Sequence, residues 1–192
     1  MSLDFNLDLL EKYDTQGPRY TSYPTAPEFV GNFGQQDYIR HASNSNDELI
    51  PRPLSLYIHI PFCHSLCYYC GCNKIVTQNP DKAELYLEYL FREIEMQSRL
   101  FASDRLVTQI HLGGGTPNFL STEQHRELLS MIARHFHLSY PEDLEISIEI
   151  DPRFASYTDI NELATLGFNR ISIGVQDYTT EVQHAINRVQ SR

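Results

Sequence analysis

The sequence predicts an α/β protein: an arc of a parallel, TIM-type (βα) barrel, about four βα units long, preceded by an irregular N-terminal arm. Three observations carry that expectation. Strand-like and helix-like runs alternate from Leu54 onward, an order that favours a parallel sheet with crossover helices. Each strand-like run also has one apolar and one polar face, whereas a sheet covered by helices on both sides reads as a nearly continuous apolar run. Finally, 192 residues fall short of the roughly 250 that an eight-unit barrel needs. Either the barrel is partial or another chain completes it. TIM barrels usually fill their interior with branched apolar side chains, so the polar faces call for a wide or open barrel around a polar ligand. A sheet with one solvated face is the alternative, but it suits antiparallel connections better.

Residues 1–53 read as the arm and residues 54–192 as the first part of the barrel. In the arm, Gln16–Pro27 contains three prolines, and Asn44–Pro53 is polar and proline-flanked, so neither supports a regular element. Short helices fit Asp4–Tyr13 and Gln35–Ala42. The first strand is Leu54–Ile60, with Leu54, Leu56, Ile58 and Ile60 opposite Ser55, Tyr57 and His59. A helix over Asp81–Leu100 places Ala83, Leu87, Leu90 and Ile94 on one face. The second strand is Gln109–Gly113, and Ser121-Thr122-Glu123-Gln124 then opens a helix with a capping-box pattern. Leu144–Asp151 is the third strand, and the helix Thr158–Leu166 stops at Gly167. Asn169–Gln176 is the fourth strand, and the last helix begins near Thr179 or Thr180.

Composition narrows function. Fifteen Lys and Arg face 25 Asp and Glu, a net charge of −10, which argues against a nucleic-acid partner, since a phosphate backbone needs a basic footprint. No run suits membrane insertion and Met1–Phe5 lacks the pattern of a signal peptide, so a cytoplasmic location is expected. All four cysteines, Cys63, Cys67, Cys70 and Cys72, fall within ten residues, whereas a disulfide framework spreads its cysteines to close long loops. They form a ligand site, placed where barrel loops carry chemistry, just after the first strand. Structural zinc prefers two separated ligand pairs, and no second pair follows. An iron-sulfur cluster fits better: Cys63-x3-Cys67-x2-Cys70 offers three thiolates to a four-iron cube and leaves one iron open. Cys72, one residue beyond Cys70, is expected outside that shell.

The cysteine loop, with Tyr69 before its third cysteine, resembles that of radical S-adenosylmethionine (SAM) enzymes, and Gly113-Gly114-Gly115-Thr116-Pro117 resembles their glycine motif. Tyr57–Cys63, Cys70–Lys74, Ser147–Arg153, Gly174–Asp177 and Gly17–Thr25 are more narrowly similar to the oxygen-independent coproporphyrinogen III oxidase family of haem and porphyrin biosynthesis. Members of that family are longer, so the resemblance implies further barrel strands and a C-terminal domain beyond these residues. It also implies a 4Fe-4S cluster on Cys63, Cys67 and Cys70, and one or two SAM molecules. Tyr57, Tyr69, Gly114, Gly115, Thr116, Glu149, Gln176 and Arg188 would bind SAM; Cys72 and Tyr57 would act catalytically, and Arg19 is a candidate for a substrate carboxylate. The implied reaction is reductive cleavage of SAM, hydrogen abstraction from two propionates of coproporphyrinogen III, and loss of CO2 to leave the vinyl groups of protoporphyrinogen IX. An electron donor and an acceptor are then required. The alternatives are a haem-binding or haem-delivery relative, against which Cys72 argues, and a non-catalytic iron-sulfur or zinc module. The isolated 192 residues are expected to associate through an open sheet edge and to be inactive alone.

Overall fold

Alternating apolar residues from Leu54 to Ile60 make the first strand, β1, and its pattern of burial follows that alternation. The structure, a computed structural model, describes residues 6–14 and 25–191. The proposed carboxylate ligand Arg19, most of the Gly17–Thr25 segment, and the first two residues of the helix expected from Asp4 lie outside these. Two very short strands follow, β2 (Phe62–Cys63) and β3 (Ile75–Val76), then α3 (Asp81–Ser98), β4 (Leu106–Gly114), α4 (Thr122–His135), β5 (His137–Leu138), β6 (Glu145–Ile150), α5 (Tyr157–Thr165), β7 (Arg170–Ile173) and α6 (Thr180–Ala185). Before them come α1 (Leu7–Tyr13) and α2 (Gln35–Asn44).

Contacts divide the chain at Tyr38/Ile39. In the first unit Asn6 caps α1, its side chain accepting from the Leu9 N–H at 3.1 Å. Leu7, Leu9, Leu10 and Tyr13 are all exposed. In the second unit, residues 45–52 are anchored to the chain that follows α3. Asn46 donates to the Leu100 carbonyl and accepts from the Ala102 N–H, while Arg105 donates to the Arg52 carbonyl and the Ser45 hydroxyl.

The four long strands pair in parallel in the order β1-β4-β6-β7, and β5 adds to the start of β4. This is the expected arc of a parallel βα barrel. Ala83, Leu87, Leu90 and Ile94 of α3, Leu128 and Ile132 of α4 and Leu163 of α5 are buried in one cluster with Ile58, Ile60, Ile110, Leu112, Ile146, Ile148 and Ile150. Burial of each such side chain contributes roughly 1.5–3 kcal/mol. Ser121 does cap α4: it accepts from the Gln124 N–H, and the Gln124 side chain accepts from the Ser121 N–H. Gly167, at φ +102°, follows α5 in the left-handed region that favours glycine.

The opposite face is polar. Register aligns Tyr57 with His111, His111 with Ser147, and Ser147 with Arg170. Within this face Ser55, Gln109, His111, Glu145, Ser147, Arg170 and Ser172 line a cavity of about 340 Å3.

The fourth unit departs from expectation. Strand β7 ends at Ile173 rather than Gln176, because the chain turns and Gln176 adopts φ +68°. Ile171 and Ile173, on the apolar face of this edge strand, are 42% and 49% exposed. Helix α6 spans six residues, and its C-terminal end is joined to the cysteine loop: Ile186 accepts from the Tyr68 N–H at 3.0 Å and Asn187 donates to the Leu66 carbonyl at 2.7 Å.

Candidate active site

The cysteine loop is held at both stems. Strands β2 and β3 pair in parallel, with Phe62 opposite Ile75 and Cys63 opposite Val76, and Ile75 and Thr77 donate to the Pro61 and Cys63 carbonyls. Residues 64–74 therefore form a closed excursion at the C-terminal end of β1. No cysteine is in a disulfide. Cys63 and Cys67 are buried, Cys70 is half-buried and Cys72 is exposed.

All four cysteines line one cavity of about 280 Å3 with Gly114, Gly115 and Thr116 at the end of β4, Glu149 at the end of β6, Gln176 just beyond β7, and Arg188 after α6. Tyr69 lines it as well. Most of the residues singled out in the sequence thus come together. Tyr57 is the exception. It does not line the cavity and sits beside it, its ring 5.9 Å from that of His111 and its hydroxyl 3.0 Å from His59 Nδ1. His59 Nε2 lies 2.9 Å from the Asn73 carbonyl, which can only accept, so Nε2 is the donor there. Partial burial and the nearby Glu149 and Cys72 charges push the Tyr57 phenol above its ordinary value.

The glycine segment works differently from a cradle of free backbone donors. Gly114 donates to the Glu149 carboxylate at 3.1 Å, Gly115 to the Ile60 carbonyl and Thr116 to the Phe62 carbonyl, both at 2.8 Å. All three N–H groups are engaged within the protein. A Cβ on Gly115 would lie 2.7 Å from the Pro61 oxygen and 2.8 Å from that of Phe62, and one on Gly114, at φ +118°, would meet the His59 ring. The missing Cβ lets β4 close against the end of β1, which positions the cysteine loop over the cavity.

Two sulfurs receive donors from the cavity wall. The Thr116 hydroxyl donates to Cys63 Sγ at 3.5 Å. Arg188 Nη1 and Arg153 Nη2 donate to Cys67 Sγ at 3.5 and 3.7 Å. Between the two guanidiniums lies Asp151, 5% exposed, paired with Arg153 at 2.7 Å and Arg188 at 3.1 Å. Burial pushes the Asp151 carboxyl up, but the Arg153 hydrogen bonds and both positive charges outweigh it and hold the group below the usual carboxylate range. Asn118, just after the glycine segment, holds the Asp151 backbone by accepting from its N–H at 2.9 Å and donating to its carbonyl at 3.2 Å. Sequence reasoning did not single out Asp151, Arg153 or Asn118 as site residues, although Asp151 and Arg153 lay within a quoted run. Their signal was local: an Asp at the end of a strand followed by Pro-Arg, where Asp151 caps the turn by accepting from the Arg153 N–H.

Burial raises the Cys63 thiol despite the Thr116 bond, and burial and the Cys70 thiol raise that of Cys72. Lys74 donates to the carbonyls of Cys70 and Cys72 at 3.0 and 3.3 Å, which steadies the turn between them. Among the described residues no three His, Cys, Asp or Glu side chains converge as a single ion would need. A four-iron cube holds its three thiolates on different irons, so it needs no such convergence. Three free thiols on one cavity, two of them receiving hydrogen bonds, form a donor set that fits it.

Comparison with known proteins agrees with this geometry. Residues 57–192 match the radical SAM superfamily. Oxygen-independent coproporphyrinogen III oxidases of Pseudomonas aeruginosa and Escherichia coli are 46% and 48% identical over 99% and 98% of this chain, which covers 41% and 40% of them. The chain thus spans about two fifths of the length of these relatives. A Mannheimia haemolytica sequence of the same name is 53% identical over 77% of this chain and 97% of its own length. The solved structure of coproporphyrinogen III oxidase (HemN) from Escherichia coli, described as a radical SAM enzyme, superposes over the whole chain with a TM-score of 0.80 and 46% identity, over 41% of its own length. The chain belongs to the radical SAM superfamily and, within it, to the oxygen-independent coproporphyrinogen III oxidases.

Proposed function

We propose that this chain forms the cluster- and SAM-binding portion of an enzyme that decarboxylates two propionates of coproporphyrinogen III oxidatively to vinyl groups, in anaerobic haem synthesis. The observation that carries the reading is the single cavity shared by Cys63, Cys67 and Cys70 with Gly114, Glu149, Gln176 and Arg188, in a chain of this family. Cys63, Cys67 and Cys70 would hold the 4Fe-4S cluster, and Tyr69, Glu149, Gln176, Arg188 and the glycine segment would contact SAM. Together these cofactors supply one-electron cleavage of a sulfonium bond and, from it, the power to abstract hydrogen from an unactivated carbon.

The protein's own residues orient and exclude. Glu149, fixed by the Gly114 N–H, presents an anion suited to the amino or ribose hydroxyl groups of SAM. Arg188 lines the cavity; Asp151, Cys67 and Gly174 take three of its N–H hydrogens, and those remaining would serve a carboxylate. Tyr57, outside the cavity lining, would face the substrate rather than the adenosyl group. Cys72 lies on the cavity wall beside Cys70, where a thiol could hold or transfer hydrogen near the substrate. The remaining barrel of the longer relatives would enclose the site, and an electron donor and acceptor complete the reaction. Four free thiols suit a reducing compartment, the cytoplasm; among the described residues no helix is long and apolar enough to cross a membrane.

Anaerobic reconstitution of the chain with iron and sulfide, followed by SAM titration monitored by EPR, tests the reading. A four-iron cluster whose signal changes with SAM is expected. Stoichiometric zinc with no visible absorption would refute it.

A further inference from the structure

We infer that Asp151, Arg153 and Arg188 form a charge brace that tunes the reduction potential of the group held by Cys67, with Arg153 as the positioning residue whose charge sets the sign. The inference rests on the cluster reading above and concerns how the protein biases that cluster electrically. It begins with an asymmetry among the three thiol ligands. Cys67 Sγ receives two guanidinium donors, from Arg153 and Arg188. Cys63 Sγ receives one neutral hydroxyl, from Thr116. Cys70 meets the Cys72 thiol, and Lys74 reaches the carbonyls of that turn rather than a sulfur.

The brace is built rather than incidental. Arg153 grips Asp151 through Nε at 3.0 Å and Nη2 at 2.7 Å, which leaves the same Nη2 turned towards Cys67. Arg188 divides its guanidinium in the same way: Nη1 serves Asp151 and Cys67, and Nη2 donates to the Gly174 carbonyl at 2.7 Å. A Cβ on Gly174 would come within 2.9 Å of that Nη2, so glycine there makes room for the arm. Asn118 fixes the Asp151 backbone from the other side. Both arginine side chains are nearly buried, 13% and 9% exposed, so solvent screens little of their charge.

Two cations and one anion leave a net charge of +1 beside Cys67. Charge and hydrogen bonds to ligand sulfur are the protein's means of setting an iron-sulfur potential. Adding an electron makes the cluster and its thiolates more negative, so a local +1 favours the reduced form. A SAM-binding role for Arg188 does not account for Arg153, which turns to the sulfur while anchored to Asp151.

The test is a potentiometric titration of the chain, reconstituted anaerobically with iron and sulfide and reduced stepwise by dithionite. Arg153→Gln takes the local charge from +1 to 0 and should move the midpoint to more negative values with iron content unchanged. Asp151→Asn takes it to +2 and should move the midpoint the opposite way. Arg153→Lys should return it most of the way to wild type. Shifts of opposite sign identify charge, because loss of packing has no reason to reverse with the sign of the residue removed. An unmoved midpoint in Arg153→Gln, equal shifts in Arg153→Gln and Arg153→Lys, or same-sign shifts in Arg153→Gln and Asp151→Asn overturn the inference. Should Arg153→Gln fail to hold iron, Arg153→Lys with a wild-type cluster and potential still supports the charge, and iron loss in both overturns it. A wild-type chain that takes up no iron refutes the cluster reading itself.

Discussion

Acid should loosen the layer of helices behind the site through one side chain, His125. It lies in α4, 2% exposed, with its ring edge-on to Phe168 at 5.7 Å. Neither ring nitrogen has a partner of good geometry among the described residues. The Pro117 and Ser121 carbonyls lie near enough to favour protonation slightly, but burial dominates and lowers its pKa from 6.5 to about 4. Asp159, which lines the same small cavity, is engaged with the Ser156 N–H. Because the folded ring titrates below the unfolded one, the unfolded chain binds the extra proton as pH falls through 6.5 towards 4. The neutral ring's stabilisation is complete above its unfolded pKa and is lost in that window, about 3 kcal/mol in all and about 2 kcal/mol by roughly pH 5. Urea unfolding at about pH 7.5 and about pH 5 measures the loss, and His125→Leu removes the titrating ring while keeping an apolar side chain of similar size. Carboxylates titrate in both proteins, so the difference between them isolates the histidine. The variant should lose less stability than wild type by about 2 kcal/mol over that interval. Parallel losses would show that the ring is not held neutral by burial and would refute the reasoning.

Gly115→Ala places a methyl group against two backbone oxygens, which cannot swing aside as a side-chain tip can, and should cost about 3 kcal/mol in urea unfolding. Gly71→Ala, whose Cβ would meet nothing within 4 Å, should change stability by less than about 0.5 kcal/mol. Gln176→Gly relieves the left-handed conformation at φ +68° and should raise stability by about 0.5 kcal/mol, yet weaken SAM binding in calorimetry if the side chain contacts it. Cys72→Ser should retain the full iron content after reconstitution while Ser at Cys63, Cys67 or Cys70 loses it; iron loss in Cys72→Ser would make it a ligand.

What the sequence made legible was local. Strand β1 runs over the residues its alternation marks, and the Ser121 capping box closes as its four residues suggest, because the partners are neighbours in the chain. The cysteine loop is readable for the same reason. The brace is not, since Arg153 and Arg188 lie 86 and 121 residues from the sulfur they reach. Only closure of β6 and α6 around the cysteine loop brings them there. The glycine segment was half legible: glycine signals close approach, but the approaching group proved to be the end of β1. Strands β2 and β3, two residues each, are too short to carry a period. The end of β7 was misplaced because Gly174-Val175-Gln176 continues an alternation that the turn at Gln176 overrides.

The charge of the whole chain and the charge of its cavity point in opposite directions. At −10 overall, this chain would repel a porphyrinogen bearing four carboxylates at long range. The lining of the cavity that holds the cysteines nevertheless includes Lys74, Arg153 and Arg188 against Glu149 and Asp151, a local excess of one positive charge before any thiol ionises. Surface charges are screened beyond a Debye length of about 8 Å at physiological ionic strength, so the acidic exterior has little influence over an anion already inside the site. Contact charges in a partly dry cavity act at a lower effective dielectric and prevail there. Lys74 is the cation best placed to extend that excess towards a carboxylate, because its ammonium donates to two carbonyls and brings no carboxylate of its own. An acidic composition therefore does not argue against an anionic ligand in that cavity, where Lys74, Arg153 and Arg188 stand beside the cysteine loop.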